Sequence, residues 1–153
     1  ALLLLAWPFG RLLRLQCGKR NRAQRCLRLT GFEFEEYMAQ VLRDNGFRHV
    51  EVTVECGDQG VDILAVRAGK TYPIQCKNYA GAVGNTAVQE AYAGAEYYGC
   101  GIPVVVWPTD FTIPARVLSE STGVELWDGE RLSHMMRVSG RRPHHDPSRD
   151  DEL

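Results

Sequence analysis

The chain has 153 residues, a length that suits one domain with a hydrophobic core and is short for two. Its 44% hydrophobic and 24% charged residues are ordinary for a globular protein. The five cysteines are odd in number and form no C-x-x-C pair, which argues against a disulfide framework or a structural zinc site and favours a reducing compartment.

Charge is unevenly distributed along the chain. The formal net charge is −1, yet residues 1–30 hold seven Lys/Arg and no acid, whereas residues 31–153 hold eleven Lys/Arg against nineteen Asp/Glu. We therefore predict a basic leader at 1–29 followed by an acidic domain. Because proteins that bind nucleic acid normally present a basic surface, this acidic balance counts against strong DNA binding by the domain alone.

The leader opens with the apolar run "ALLLLAWPFG" and continues with "RLLRLQCGKRNRAQRCLRL". The apolar run is about half the length of a membrane span. It is typical either of the end of a truncated membrane anchor with a cytoplasmic basic flank or of a short amphipathic segment packed on the domain. A signal peptide fits less well, because the basic cluster follows the apolar run. The expected location is cytoplasmic, with or without attachment to the membrane through this segment.

The segment "TGFEFEEYMAQVLRDNG" predicts the first helix. Thr30 and Glu33 have the spacing of a capping box, and Gly46 supplies a stop. Glu35 lies at the margin of the apolar stripe, which is an unusual place for an acid.

The remaining elements alternate between strands and helices. "HVEVTVEC" (49–56) predicts a half-buried strand, 60–79 a hairpin, and the next segment a helix capped by Asn85. "IPVVVW" (102–107) predicts a strand covered on both faces. "FTIPARVLSESTG", "VELW" and "DGERLSHMM" then predict helix, strand and helix. This order favours a mixed sheet with helices on both faces, within a domain at 30–137.

Polar and Pro/Gly-rich residues dominate the C-terminal segment 138–153, which predicts a disordered tail.

The hairpin "GVDILAVRAGKTYPIQCKNY" carries three polar groups within apolar runs. Residues two apart in a strand share a face, so Gln75 and Lys77 point the same way. A II′ turn centred on Gly69-Lys70 places Asp62 opposite Lys77. A turn around Ala68-Gly69 instead places Asp62 opposite Gln75. Either register brings the three side chains to one face.

A carboxylate, an amide oxygen and an ammonium group within about 5–8 Å can form a metal-plus-lysine site. Asp62, Gln75 and the backbone carbonyl of Cys76 are candidate ligands for Mg²⁺ or Mn²⁺, which would polarise a phosphate and activate a water. Lys77 would orient that water or take its proton. The alternative is a solvated Asp62–Lys77 ion pair worth about 0.2–1 kcal/mol, which the hairpin alone favours.

Six segments lie between about residues 30 and 133: "GFEFEEYMAQVLRDNGF", "GDQGVDILA", "PIQCKNY", "VGNTAVQEAYAG", "VVVW…FT" and "GVELWDGERL". In this order they resemble the blocks of the Mrr-type restriction endonuclease catalytic domain, a branch of the PD-(D/E)-x-K nuclease superfamily. The resemblance implies a three-layer restriction-endonuclease-like α/β fold, with a central mixed β-sheet flanked by helices, and Mg²⁺-dependent hydrolysis of DNA phosphodiester bonds.

Carried over by position, the resemblance makes Asp62 the metal-binding acid and Lys77 the catalytic lysine. Gln75 matches the family's glutamine, where most of the superfamily has an acid. Glu35 matches a helical acid that leans toward the site. The resemblance also places Gln89 near the cluster, although an ordinary exposed helix glutamine is an equal alternative.

Three further positions bear on the site. Asp58, in the "GDQG" turn, is a candidate for supporting the ligands. Asn78 stands where the family usually has a basic residue, and Trp107-Pro108 where it usually has small polar residues. These departures concern substrate contacts more than the fold.

Two functions follow. The first is an active endonuclease of restriction or DNA-processing type that acts on DNA, with a homodimer as a secondary expectation. The second is a non-catalytic nuclease-fold module that binds nucleic acid or protein at the membrane. The joint presence of Asp62, Gln75 and Lys77 favours the first, and "RCLRL" with the leader could add contacts to the DNA backbone.

Overall fold

The structure is a computed structural model that describes residues 22–53, 60–99 and 101–144. Its elements are a 3₁₀ helix at Arg25–Arg28, α1 at Gly31–Asp44, β1 at Arg48–Val52, β2 at Ile63–Arg67, β3 at Lys70–Cys76, α2 at Asn85–Tyr97, β4 at Val104–Val106, α3 at Ile113–Thr122, β5 at Glu125–Trp127 and α4 at Gly129–Ser139. The five strands form one sheet in the order β1-β2-β3-β4-β5. The first two pairings are antiparallel and the last two parallel, so the predicted mixed sheet is confirmed.

Alternate residues along the strands divide the core into two halves. In β4, Val104 and Val106 join the cluster that packs on α1 and α4, while Val105 joins the cluster under α2 and α3. All three valines are fully buried, as the continuous apolar run predicted. The molecule therefore has three layers, with helices on both faces of the sheet.

The ends of α1 follow the local sequence signals. The hydroxyl of Thr30 accepts from the Glu33 amide, and the Glu33 carboxylate accepts from the Thr30 amide, which confirms the capping box. Gly46 has a positive φ of 83° after the last turn. The cap predicted for α2 is wrong, because Asn85 is already helical and the preceding extended residue, Gly84, is the N-cap.

The hairpin closes in the second of the two predicted registers. Arg67 pairs with Lys70 and Ile63 with Ile74, which leaves Ala68 and Gly69 as the loop. Both loop residues have positive φ, 50° and 75°, as a type I′ turn requires. The II′ turn centred on Gly69-Lys70 is therefore wrong. A I′ turn matches the twist of the strands, and Gly69 adopts the left-handed conformation at little cost.

The first strand is short and irregular. It runs from Arg48 to Val52, and its register with β2 shifts between Arg48 and Glu51. His49, within this bulge, has a positive φ of 49°. Residues 54–56 of the predicted strand 49–56 lie outside the described part of the chain, and so does Asp58.

Residues from both predicted flanking segments pack on the domain. Cys26 of the 3₁₀ helix and Ala23 before it are fully buried in the α1–α4 core. The helix α4 continues through Ser139 and ends at Gly140, inside the predicted tail. Residues 1–21, with the predicted anchor, and 145–153 lie outside the described residues. Across the described ranges, every helix is too short or too polar to traverse a lipid bilayer.

Candidate active site

The side chains of Gln75, near the end of β3, and of Lys77, just beyond it, converge on one carboxylate of α2. Gln75 Nε2 donates to Glu90 Oε2 at 2.8 Å, and Lys77 Nζ donates to the same oxygen at 2.9 Å. Gln75 is buried, with 4% of its surface exposed, and the Lys77 side chain is 24% exposed. Because residues two apart in an extended chain share a face, Gln75 and Lys77 both lie on the α2 side of the sheet.

Asp62 lies against the main chain between those two residues. Its Oδ2 accepts a hydrogen bond from the Cys76 amide at 2.5 Å. Its own amide donates to the Ile74 carbonyl at 2.9 Å, just before β2 begins. The structure therefore brings Asp62, Gln75 and Lys77 together at the end of β3.

The amide oxygen of Gln75 is the unusual atom of this cluster. Gln75 Oε1 is buried and has no hydrogen-bond partner among the described residues, and Asn78 Oδ1 shares this condition. A buried acceptor without a partner costs about 1–3 kcal/mol. Such an atom is typical of a binding site, where a donor group or a cation supplies the missing contact.

Gly60 allows the chain to close over the Gln75 amide. A Cβ at this position would lie 3.2 Å from Gln75 Nε2 and 3.6 Å from the Cβ of Glu90. Gly60 also has a φ of +76°, which side chains rarely adopt. A glycine is therefore required for this close approach.

Glu90 is held in its ionised form by its two donors. Burial alone would raise its pKa, but the hydrogen bonds from Lys77 and Gln75, with the charge of Lys77, outweigh burial and hold the pKa below the ordinary value of 4.5. The carboxylate fixes the position of the lysine amine. Glu90 was missed at the sequence level, although it is three residues after the buried Ala87 and hence at the margin of a buried stripe, as Glu35 is.

Carboxylates also surround the thiol of Cys76. Burial raises the pKa of this thiol well above its ordinary value, and the charges of Asp62 and Glu35 raise it further, whereas Lys77 opposes the shift. The thiol is therefore neutral at physiological pH. Glu35 is half-buried on α1, and its charge contributes to the raised pKa of Cys76; its part in the site stays a prediction.

Gln89 contrasts with its neighbour on α2. The Gln89 side chain is exposed, and the residue of this helix that contacts the cluster is Glu90. Successive helical residues are rotated by about 100°, so one position decides which side chain reaches the sheet.

The oxygen atoms at the site are suited to a hard divalent cation. Asp62 offers a carboxylate and Gln75 an amide oxygen without a partner among the described residues, and Mg²⁺ prefers such oxygens while keeping several waters. The Cys76 carbonyl stays a predicted ligand. Within residues 22–53, 60–99 and 101–144, no group of three or more His, Cys, Asp or Glu side chains could hold a metal. An ion at this place would therefore depend on the amide and main-chain oxygens.

Comparison with known proteins identifies the family of this chain and a solved structure with a similar fold. The family model of the Mrr catalytic domain, described as a restriction endonuclease, matches residues 26–136. A solved structure titled "Crystal Structure of Protein of Unknown Function AF1548" is 24% identical, with a TM-score of 0.66 over 81% of this chain and 77% of that chain. No curated protein matches. The family match confirms the resemblance seen in the sequence, and the fold is restriction-endonuclease-like, as predicted.

Proposed function

The chain belongs to the Mrr catalytic-domain family of restriction endonucleases, and from this membership we propose that it is a metal-dependent endonuclease that hydrolyses DNA phosphodiester bonds. The family is one of nuclease domains whose substrate is DNA and which generally use divalent metals. One observation in the structure carries the proposal for this chain: the buried Oε1 of Gln75, which has no hydrogen-bond partner among the described residues, lies in the cluster that also holds Asp62 and Lys77.

In this proposal, Asp62, the Gln75 amide oxygen and the Cys76 carbonyl hold Mg²⁺ or Mn²⁺. When bound, the cation polarises the phosphate and lowers the pKa of a water molecule. Gln75 is kept in position because its Nε2 is fixed by Glu90, which leaves its oxygen for the ion.

Lys77 supplies positive charge where negative charge develops during hydrolysis. A water oxygen adds to phosphorus and loses a proton to solvent, while one P–O ester bond breaks and the leaving oxygen takes up a proton from solvent. The ammonium group stabilises the charge on the phosphate oxygens. Glu90 holds the Lys77 amine at 2.9 Å and so acts as a positioning residue. Glu35, on the α1 side of Cys76, is a second carboxylate that can orient a water molecule.

A plasmid-cleavage assay with Mg²⁺ or Mn²⁺ tests the proposal. Asp62→Ala and Lys77→Ala should each lower the cleavage rate by about 100-fold or more, because each removes a charged group from the transition state. Lys70→Ala is the matched control, since Lys70 is an exposed lysine of the same hairpin. Circular dichroism of all variants shows whether the fold is retained.

Metal-dependent cutting that survives both substitutions would overturn the site assignment. Absence of cutting by the unmodified chain, together with measurable DNA affinity, would favour the non-catalytic module. Membrane attachment through residues 1–29 and a homodimer stay predictions.

A further inference from the structure

Basic residues from the two ends of the described chain meet in one cleft. Arg22 and Arg25 come from the N-terminal helical segment, and Arg141 and Arg142 follow α4. Together with Met136, Gly140 and Pro143 they line a cleft of about 430 Å³. We call this the arginine cleft.

The main chain around the arginine cleft is held by specific contacts. The Ala23 amide donates to Ser133 Oγ at 3.2 Å in a buried environment, which ties the N-terminal segment to α4. The Tyr37 hydroxyl donates to the Arg141 carbonyl at 3.3 Å. The Arg141 guanidinium donates to Asp44 of α1, with 3.4 Å between Nη2 and Oδ1. The cleft is therefore a feature of the fold and not only of extended side chains.

The described lining of the arginine cleft carries an excess of positive charge, although Arg141 and Arg142 also border a neighbouring cavity lined by Glu33 and Glu36. Arg141 is paired with Asp44, but Arg22, Arg25 and Arg142 make no ion pair within the part of the chain that the structure describes. The described lining contains no acidic residue. Such a concentration of one sign of charge attracts polyanions.

The pKa of the Tyr37 hydroxyl is influenced by two arginines of the cleft. Burial raises the pKa of this hydroxyl well above the ordinary value, while the positive charges of Arg22 and Arg141 oppose that shift. Guanidinium groups from both ends of the described chain therefore act on one hydroxyl.

A hydrogen bond connects the arginine-bearing segment to the candidate active site. Asn78, the residue after Lys77, donates from Nδ2 to the Leu29 carbonyl at 2.6 Å. Leu29 directly follows the 3₁₀ helix that carries Arg25. The segment that supplies two arginines of the cleft is therefore tied to the chain that carries Lys77.

We propose that the arginine cleft binds phosphates of the DNA backbone and so gives a domain of acidic composition a cationic contact with its substrate. Arginine suits this role because its planar guanidinium donates two parallel hydrogen bonds to a phosphate. Such contacts position the DNA without reading its sequence. This inference rests on the proposed function, since it assumes that DNA is the substrate.

Fluorescence anisotropy with a labelled DNA duplex tests the inference in the full chain carrying Lys77→Ala, so that binding is measured without cutting. The cleft variant adds Arg22→Ala, Arg25→Ala and Arg142→Ala and leaves the paired Arg141 in place. Each phosphate contact contributes about 0.9 to the slope of log affinity against log salt, so the slope should fall by nearly 3. Between about 50 and 200 mM salt, the parent should therefore lose about 40-fold more affinity than the cleft variant does.

The control variant removes the same number of charges elsewhere, through Arg48→Ala, Lys70→Ala and Arg137→Ala, all at exposed positions. It should keep the affinity and salt slope of the parent. An equal loss in both variants, or no loss in the cleft variant, would overturn the inference.

Two further outcomes are informative. One distinguishes DNA from a membrane surface as the source of the phosphates, and the other distinguishes failure of this inference from failure of the proposed function. If the cleft variant loses binding to phosphatidylserine vesicles but keeps its DNA affinity, the ligand is a membrane surface and the inference is wrong. If DNA binding depends on the cleft but the chain with Lys77 intact never cuts DNA with Mg²⁺ or Mn²⁺, the inference stands and the proposed function fails.

Discussion

The two faces of β3 differ in what they contribute. Ile74 lies in the apolar core under α1, with Cys76 packed against that core, whereas Gln75 and Lys77 face α2 and hydrogen-bond to Glu90. Ile74 and Gln75 are both buried, at 0% and 4% exposure. Alternate residues at the end of β3 thus divide between the apolar core and the proposed site.

Burial of the apolar side chains on one face stabilises the fold, whereas burial of the amide oxygen on the other face destabilises it. Burying an isoleucine side chain stabilises a fold by about 1.5–3 kcal/mol. A buried amide oxygen without a partner destabilises it by about 1–3 kcal/mol. A chain selected only for stability would place an apolar residue at 75, so the glutamine is expected to serve function.

The largest expected effect is on the apolar face. Ile74→Ala should lower the free energy of unfolding by about 2–5 kcal/mol, because it leaves a cavity in a fully buried position. Urea denaturation measures this change. Lys70→Ala, at the exposed start of the same strand, should change stability by no more than about 0.5 kcal/mol. Similar values for the two variants would show that the faces do not differ as described.

A smaller effect of opposite sign is expected on the polar face. Gln75→Met keeps a similar volume and removes the unpaired oxygen, so the free energy of unfolding should stay the same or rise by about 1 kcal/mol. Plasmid cleavage should be lost at the same time, since the oxygen proposed to hold the metal is gone. Cleavage that persists in a protein destabilised by this change would contradict the proposed division of roles.

The smallest effect is expected at Glu90. Because its pKa in the folded protein is below the ordinary 4.5, the carboxylate stabilises the fold above that pH, and this contribution is lost as pH falls through the folded pKa. Glu90→Gln should therefore cost less than about 1 kcal/mol at neutral pH, and its difference from the unmodified chain should vanish in acid.

Urea denaturation across a pH series measures the Glu90 effect. Glu96→Gln, an exposed residue of the same helix, is the control and should show no such pH-dependent difference. A Glu90→Gln difference that grows as the solution is acidified would contradict the predicted sign.

Local signals predicted much of the fold. The capping box of Thr30 and Glu33 and the stop at Gly46 depend on residues within one helix, so the sequence contains all the information they require. The continuous apolar run at β4 likewise predicted that this strand is buried, because a strand covered on both faces must be apolar throughout.

Features that depend on tertiary position were harder to predict. Two hairpin registers fitted the pattern of side chains, and only the left-handed conformation of Ala68 and Gly69 selects one. On α2, the resemblance indicated Gln89, but the rotation of the helix on the sheet brings Glu90 to Lys77. The arginine cleft joins segments from opposite ends of the chain, and no local pattern contains that information.

The bulge in β1 affects how readily two copies of this protein can associate through the edge of the sheet. Among the described strands, β1 forms one edge of the sheet, and a regular edge would offer a row of backbone donors and acceptors to a neighbouring molecule. The register shift and the positive φ of His49 interrupt that row, and Arg48 and Glu51 place charges along it. The edge therefore resists strand-by-strand aggregation when many copies crowd together.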